Sequence, residues 1–128
     1  MRKIYYVIVI VLVVLFFIIF RLGGEDSWRK NENGTYVKHG VPSNIPDYVK
    51  EQQEAIIGAL QLYNEKKQEG MNFSSQCLGV VGNYAVDIVH VPRSEEDNLP
   101  ENQCEEYKLG EVKNFIELDK DGNIFRIV

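Results

Sequence analysis

Seventeen consecutive apolar or tyrosyl residues, Ile4 to Phe20, open the chain and dictate how everything after them is read. As a helix they rise about 25 Å, and with Arg21 and Leu22 about 28 Å, close to a hydrocarbon core of roughly 30 Å. The run contains no Asp, Glu, Lys, Arg or His, no Asn or Gln, no Pro and no Gly. It therefore lacks the polar groups of a transport path and the small-residue face of a helix dimer. A signal peptidase would want a small-x-small site after the run; Phe20-Arg21-Leu22-Gly23-Gly24 does not supply one. The expectation is an uncleaved transmembrane anchor at residues 4–22 that contacts membrane lipid and nothing else. Residues 1–3, with Arg2 and Lys3, would be a cytoplasmic stub. A single-pass protein of the cell membrane follows, its C-terminal part outside the cytoplasm.

All 19 acidic residues but only 11 of the 14 basic ones lie beyond Leu22, which leaves that part with a net charge of −8. Such a surface repels phosphate backbones, so nucleic acid is excluded as a partner. About a hundred residues of ordinary apolar content make one small domain rather than two.

Residues 23–44 carry Gly, Asn, Pro and scattered charges without an apolar period, and read as a juxtamembrane linker. Within it stand E-D-S-W (Glu25 to Trp28) and N-G-T-Y-V-K-H-G-V-P-S (Asn33 to Ser43). This resembles a segment of small bacterial single-pass membrane proteins that place a short anchor before E-D-x-W and N-G-x-[Trp or Tyr]-V-K-H-G-x-P. The resemblance implies a cell-envelope protein of similar layout and brings no established activity. That family carries a Cys two residues after the Trp; here the position is Lys30, so any disulfide made there is absent. Asn33-Gly34 is a tight-turn signal. Trp28, Tyr36 and His39 are candidates for membrane-interface or partner contacts, or for a local hairpin closing on itself.

Residues 45–128 form the α+β domain, its helix running from Ile45 to Glu69. Asn44 is the candidate N-cap and Pro46 falls in the first turn. Val49, Gln52, Ile56, Ala59, Leu60 and Tyr63 share one 3.6-period face, and Lys66, Lys67 and Gly70 supply a basic last turn and a stop. From there the period becomes two. Gln76–Val81 and Tyr84–Val91 flank Gly82-Asn83, a two-residue hairpin signal of type II′, with Tyr84, Val86 and Ile88 on the core side. Pro92 ends the strand, and Arg93 to Gln103 reads as a long acidic loop. A final hairpin turns at Asp121-Gly122. The preferred register sets Ile116 opposite Ile127, Glu117 opposite Arg126 and Leu118 opposite Phe125; a three-residue turn bulged at Gly122 is the alternative. The fold class is one amphipathic helix packed on a four-stranded antiparallel sheet behind a transmembrane helix.

The only cysteines, Cys77 and Cys104, are expected to form a disulfide. Closing a loop of 28 residues would stabilise by roughly 3–4 kcal/mol in the chain-entropy model. No C-x-x-C is present, which leaves thioredoxin-like chemistry without its motif. Cys77, Cys104, His39 and His90 lack the close pairs of a structural zinc site, so no metal is expected. His90 ends a strand and has no visible partner. Glu95, Glu96, Asp97, Glu101, Glu105 and Glu106 read as a solvated acidic loop, with weak calcium binding or a basic docking surface as the functional alternative. No phosphate-binding glycine loop and no Gly-x-Ser-x-Gly occurs, and no cofactor is implied.

These features favour a membrane-anchored binding or scaffolding module of the envelope, with an envelope protein as possible partner and no catalytic residues. The alternatives are a small hydrolase or enzyme subunit using His90 as base, and an inhibitor-like domain of PepSY or cystatin type. A pocket holding His90 beside a carboxylate would favour the enzyme. An exposed apolar patch near Tyr84 or Trp28 would favour binding.

Overall fold

A computed structural model describes residues 2–22 and 27–128, with the side chains of residues 3–18 and 27–128. Gly23, Gly24, Glu25 and Asp26, including half of the E-D-S-W segment, lie outside the described residues. The chain divides into two compact units, residues 1–28 with 38–44, and residues 29–37 with 45–128.

The first unit holds helix α1 (Arg2–Leu22). Among the described residues, no helix is long and apolar enough to cross a membrane. The expected transmembrane anchor at 4–22, its lipid contact, the single-pass topology and the cell-membrane location therefore do not stand. Nor does the resemblance to single-pass membrane proteins, which depended on that anchor. Trp28 of this unit donates its indole N–H to the Asn44 carbonyl at 3.1 Å, and Lys38 Nζ lies 5.7 Å from the Trp28 ring centroid. His39 is exposed.

Strands β1 (Ser27–Lys30) and β2 (Tyr36–His39) form a two-stranded sheet. The turn between them belongs to the second unit. Asn31 shapes it: its side-chain oxygen accepts from the amides of Asn33 and Thr35 at 3.0 and 2.9 Å. Gly34, at φ 83°, takes the left-handed conformation that the turn requires.

Helix α2 (Asp47–Gln68) starts after Pro46 rather than Asn44. Proline fixes its own φ and lacks a donor, so it sits at the N-cap without loss, its carbonyl accepting from the amides of Val49 and Lys50. Gln52, set in the apolar stripe, is buried and hydrogen-bonded at both ends of its amide. Its Oε1 accepts from the Tyr36 amide at 2.8 Å, and its Nε2 donates to the Gly34 carbonyl at 3.0 Å.

The main sheet has the order β3-β4-β5-β6, from Gln76–Val81, Tyr84–Ile88, Asn114–Leu118 and Ile124–Ile127. It is mixed, not antiparallel as expected, because β4 and β5 run parallel. The chain between them returns to the same end of the sheet, as parallel neighbours require, through two 3₁₀ turns (Glu95–Asn98 and Pro100–Asn102) and helix α3 (Glu105–Lys108). The acidic segment expected as a solvated loop is therefore a structured crossover. The β3–β4 hairpin has the expected two-residue turn, with Gly82 at φ 56° and no positive φ at Asn83, as type II′ demands. β3 is bulged between Cys77 and Gly79.

The C-terminal hairpin keeps Ile116 opposite Ile127 and Glu117 opposite Arg126, but a bulge brings Ile124, not Phe125, opposite Leu118. The loop closes through Gly122 N–H to the Asp119 carbonyl at 3.0 Å and Asp119 N–H to the Asn123 carbonyl at 2.9 Å, with Gly122 at φ 85°. This is the three-residue turn. The preferred two-residue register gives way because Asp119 also accepts from the Asp121 and Asn123 amides at 2.9 and 2.8 Å, an arrangement that Asp at a turn's first position favours.

The sheet is covered on both faces. On one, Ala55, Ala59 and Tyr63 of α2 pack with Leu78, Tyr84, Val86, Ile88, Ile116, Leu118 and Ile127. On the other, Ala85, Cys104 and Val112 are buried together, with Cys77, Tyr107 and Phe115 against them. Odd and even positions of β4 thus serve two separate cores, as the two-residue period dictates.

Candidate functional site

β4 ends at Ile88, and Val89 and His90 continue past it to Pro92. Ser94 then caps the first 3₁₀ turn in a reciprocal capping box: the Asp97 side chain accepts from the Ser94 amide at 2.7 Å. The same carboxylate accepts from the His90 amide at 3.1 Å and contacts His90 Nδ1 at 3.0 Å. Asp97 is buried, while the His90 side chain keeps 39% of its surface open. Burial pushes the Asp97 carboxyl up. The amides of Ser94 and His90 and the side chains of Ser75 and His90 outweigh this and hold it below the ordinary carboxylate value.

A carboxylate only accepts, so the imidazole proton belongs on Nδ1 facing Asp97, and Nε2 keeps its lone pair. Ser94 Oγ also lies 3.0 Å from Nδ1. A serine nucleophile would have to meet the opposite ring nitrogen from the aspartate, so this is not a Ser-His-Asp relay. It is a histidine oriented by a buried carboxylate.

His90 and Ser94 border a cleft of about 490 Å³ whose apolar walls are Phe73, Val91 and Pro92, with Lys120 and Asp121 at its rim. Phe73 is held in place by stacking on Tyr63 at 4.6 Å between ring centroids. Lys120 bonds both carboxylate oxygens of Asp121 at 2.9 Å, and that bond raises its pKa.

A smaller cleft, about 160 Å³, includes Asp87, Arg93, Glu117 and Arg126. Glu117 is buried and paired with both arginines. Arg126 Nε donates to Oε2 at 2.9 Å and Nη2 to Oε1 at 3.1 Å, while Arg93 Nη1 also bonds Oε1. Glu117, expected opposite Arg126, keeps that partner and is itself buried, because the crossover brings Arg93 over β5. Arg93 is further tied to the Asp97 carbonyl and Asn98 Oδ1 at 3.2 and 2.8 Å.

Cys77 and Cys104 are joined in a disulfide. With Glu106 they place two sulfurs and a carboxylate oxygen within 4.8 Å of one another. Disulfide sulfurs are not thiolates, so this trio does not present a metal donor set in the oxidised chain.

The residues proposed for partner or membrane-interface contacts all fall on strands β1 and β2. Trp28 is bonded to Asn44 and His39 stands exposed. Tyr36, in the other unit, packs at 4.9 Å on the Tyr48 ring. Tyr84 is buried. The His90–Asp97 pair, on the other hand, was not anticipated. Its signal is the Ser94-x-x-Asp97 capping spacing four residues beyond His90, which returns the carboxylate to the strand end. No family model matches the sequence, and no curated protein and no solved structure is significantly similar to it.

Proposed function

We propose that the second unit is a small hydrolase, or the hydrolytic subunit of a larger enzyme, with His90 as the general base. The binding-module reading rested on a membrane anchor and is set aside with it. The inhibitor-like reading presumed an antiparallel sheet, from which the parallel β4–β5 pair departs. One observation supports the enzyme: a half-exposed imidazole, oriented by a buried carboxylate, beside the cleft lined by Phe73, Val91 and Pro92.

In this reading Nε2 accepts a proton from a water molecule as it attacks the substrate. Asp97 keeps Nδ1 protonated and stabilises the imidazolium that forms. The apolar walls suit the acyl or aryl part of an ester or thioester, the reacting carbonyl lying toward His90. Ser94 shares the turn but is not the nucleophile, since it faces the wrong ring nitrogen.

The test uses the full chain with nitrophenyl esters and acyl thioesters of increasing chain length. Turnover should vanish in His90→Gln. It should fall by about 10- to 100-fold in Asp97→Asn and change less than about threefold in Ser94→Ala, all with unaltered circular dichroism. Turnover that survives His90→Gln, or none above buffer at any chain length, would overturn the proposal.

A further inference from the structure

Cys104 lies in the second core and yet among oxygens. Its sulfur is fully buried, yet three oxygens face it: the Gly79 carbonyl at 3.4 Å, the Val86 carbonyl at 3.6 Å and Asp87 Oδ1 at 3.2 Å. A disulfide sulfur has no proton to offer any of them. A thiol would have all three as acceptors. Cys77, at the other end of the bond, is only half-buried.

We propose that Cys77–Cys104 is a redox-active disulfide that exchanges with a dithiol, with Cys77 as the attacked sulfur and Asp87 carrying the proton of Cys104. This activity is independent of the His90 cleft. The geometry assigns the roles. Access selects Cys77, since a thiolate must approach a sulfur along the S–S axis and Cys104 admits no approach from solvent. Contact selects Asp87, the titratable group that touches Cys104 Sγ. The same asymmetry, one reachable sulfur and one buried sulfur beside a proton carrier, is what separates an exchanging disulfide from a sealed one.

A thiolate of the external dithiol forms a bond to Cys77 Sγ, and the Cys77–Cys104 bond breaks. Cys104 leaves with the electron pair and takes the proton of the Asp87 carboxylic acid. The second thiol of the dithiol then attacks the mixed disulfide and releases Cys77 as a thiolate, which is protonated from water. The external dithiol is oxidised to its disulfide and the protein disulfide is reduced to two thiols. In reverse, the Asp87 carboxylate removes the Cys104 proton before Cys104 attacks.

Burial pushes the Asp87 carboxyl up to about 6, assisted by the charge of Glu117 and opposed by the Cys104 amide and by Arg93. Such a group exchanges protons in the neutral range, as a proton carrier must. Arg126 shares its cleft, and Glu106 stands beside both sulfurs as a further negative charge.

Reduction of the native full chain by dithiothreitol, followed by alkylation and mass analysis, tests this. Without denaturant, millimolar reductant should open the disulfide while circular dichroism remains native. Asp87→Asn should react about tenfold more slowly near pH 5, with the ratio of wild-type to variant rates declining between about pH 5 and pH 7. With glutathione as the probe, the mixed disulfide should form on Cys77. A disulfide that opens only in urea, or an Asp87→Asn variant with the wild-type rate and pH profile, would overturn the proposal. The wild-type measurement decides even if the variant fails to fold.

Discussion

The Ile127 amide donates to the Asn33 carbonyl at 2.7 Å, joining the outer side of β6 to the turn between β1 and β2. Asn33 Nδ2 adds a bond to the Ile124 carbonyl at 3.2 Å. The turn is thus a working part of the second unit, held by Gln52 from one side and by β6 from the other.

Gly34 should tolerate no side chain. A Cβ there would collide with the Ile127 carbonyl, and its φ of 83° already penalises any other residue. Gly70 has nearly the same φ, 81°, but open space around it. Gly70→Ala is expected to cost about 1 kcal/mol, and Gly34→Ala at least about 1 kcal/mol more because the turn must move. Denaturant melts of the two variants separate the steric part from the conformational part; equal losses would show that the turn is not pinned against β6.

The bulge at Leu118 makes a second comparison decisive. Leu118 is fully buried in the main core, and Ile124 packs against that core. Phe125 belongs to neither core cluster. Leu118→Ala should cost about 2–5 kcal/mol, Phe125→Ala distinctly less despite the larger side chain. Similar losses in urea melts would support the two-residue turn that the structure replaces.

Glu117 provides a third. Removing a buried carboxylate leaves two guanidinium groups without their partner, which typically costs about 3–5 kcal/mol. Glu117→Ala should approach that range. Arg126→Ala should cost less, because Arg93 still satisfies Glu117 and the Arg126 side chain is 45% exposed. Thermal melts at low and high salt check this, and a loss under 1 kcal/mol for Glu117→Ala would mean that the pair is open to water.

Asp87 predicts a pH dependence. Its folded-state pKa, about 6, lies above the ordinary 3.8, so the neutral acid is the form that the fold prefers. That contribution is complete below pH 4 and is lost as pH rises through about 6. Asp87→Asn, which mimics the neutral acid, should match the wild type near pH 4. By pH 7 it should be more stable by roughly 2 kcal/mol, allowing for the solvent that reaches the group. Urea melts from pH 4 to pH 8 measure the difference, and a gap that stays constant across this range would contradict the assignment.

The sequence was legible where local chemistry and periodicity agree. The stripe on α2, the alternation of Tyr84, Val86 and Ile88 and the Gly82-Asn83 turn all depend on neighbours a few residues apart. Gln52 falls on the apolar face of the helix by period alone, but spacing does not name its partners at Gly34 and Tyr36. The parallel placement of β5 was illegible because it depends on the path of the twenty-two residues from Pro92 to Lys113, which carry no strand or long-helix period. The proposed site was missed for a related reason. His90 gains its carboxylate only when the segment after Pro92 folds back, and Asp97 looked like one more acid in a solvated run.

The break in β3 between Cys77 and Gly79 bears on how the molecule avoids its own kind. A straight outer strand exposes a regular row of amides and carbonyls onto which another chain can add. Here the bulge interrupts that row, the Pro100–Asn102 turn lies beside it, and the Gly79 carbonyl is turned toward Cys104 Sγ. At the opposite margin, the Ile127 amide is already occupied by Asn33. A sheet guarded at both margins is a poor template for edge-to-edge aggregation, even in a domain whose core is small.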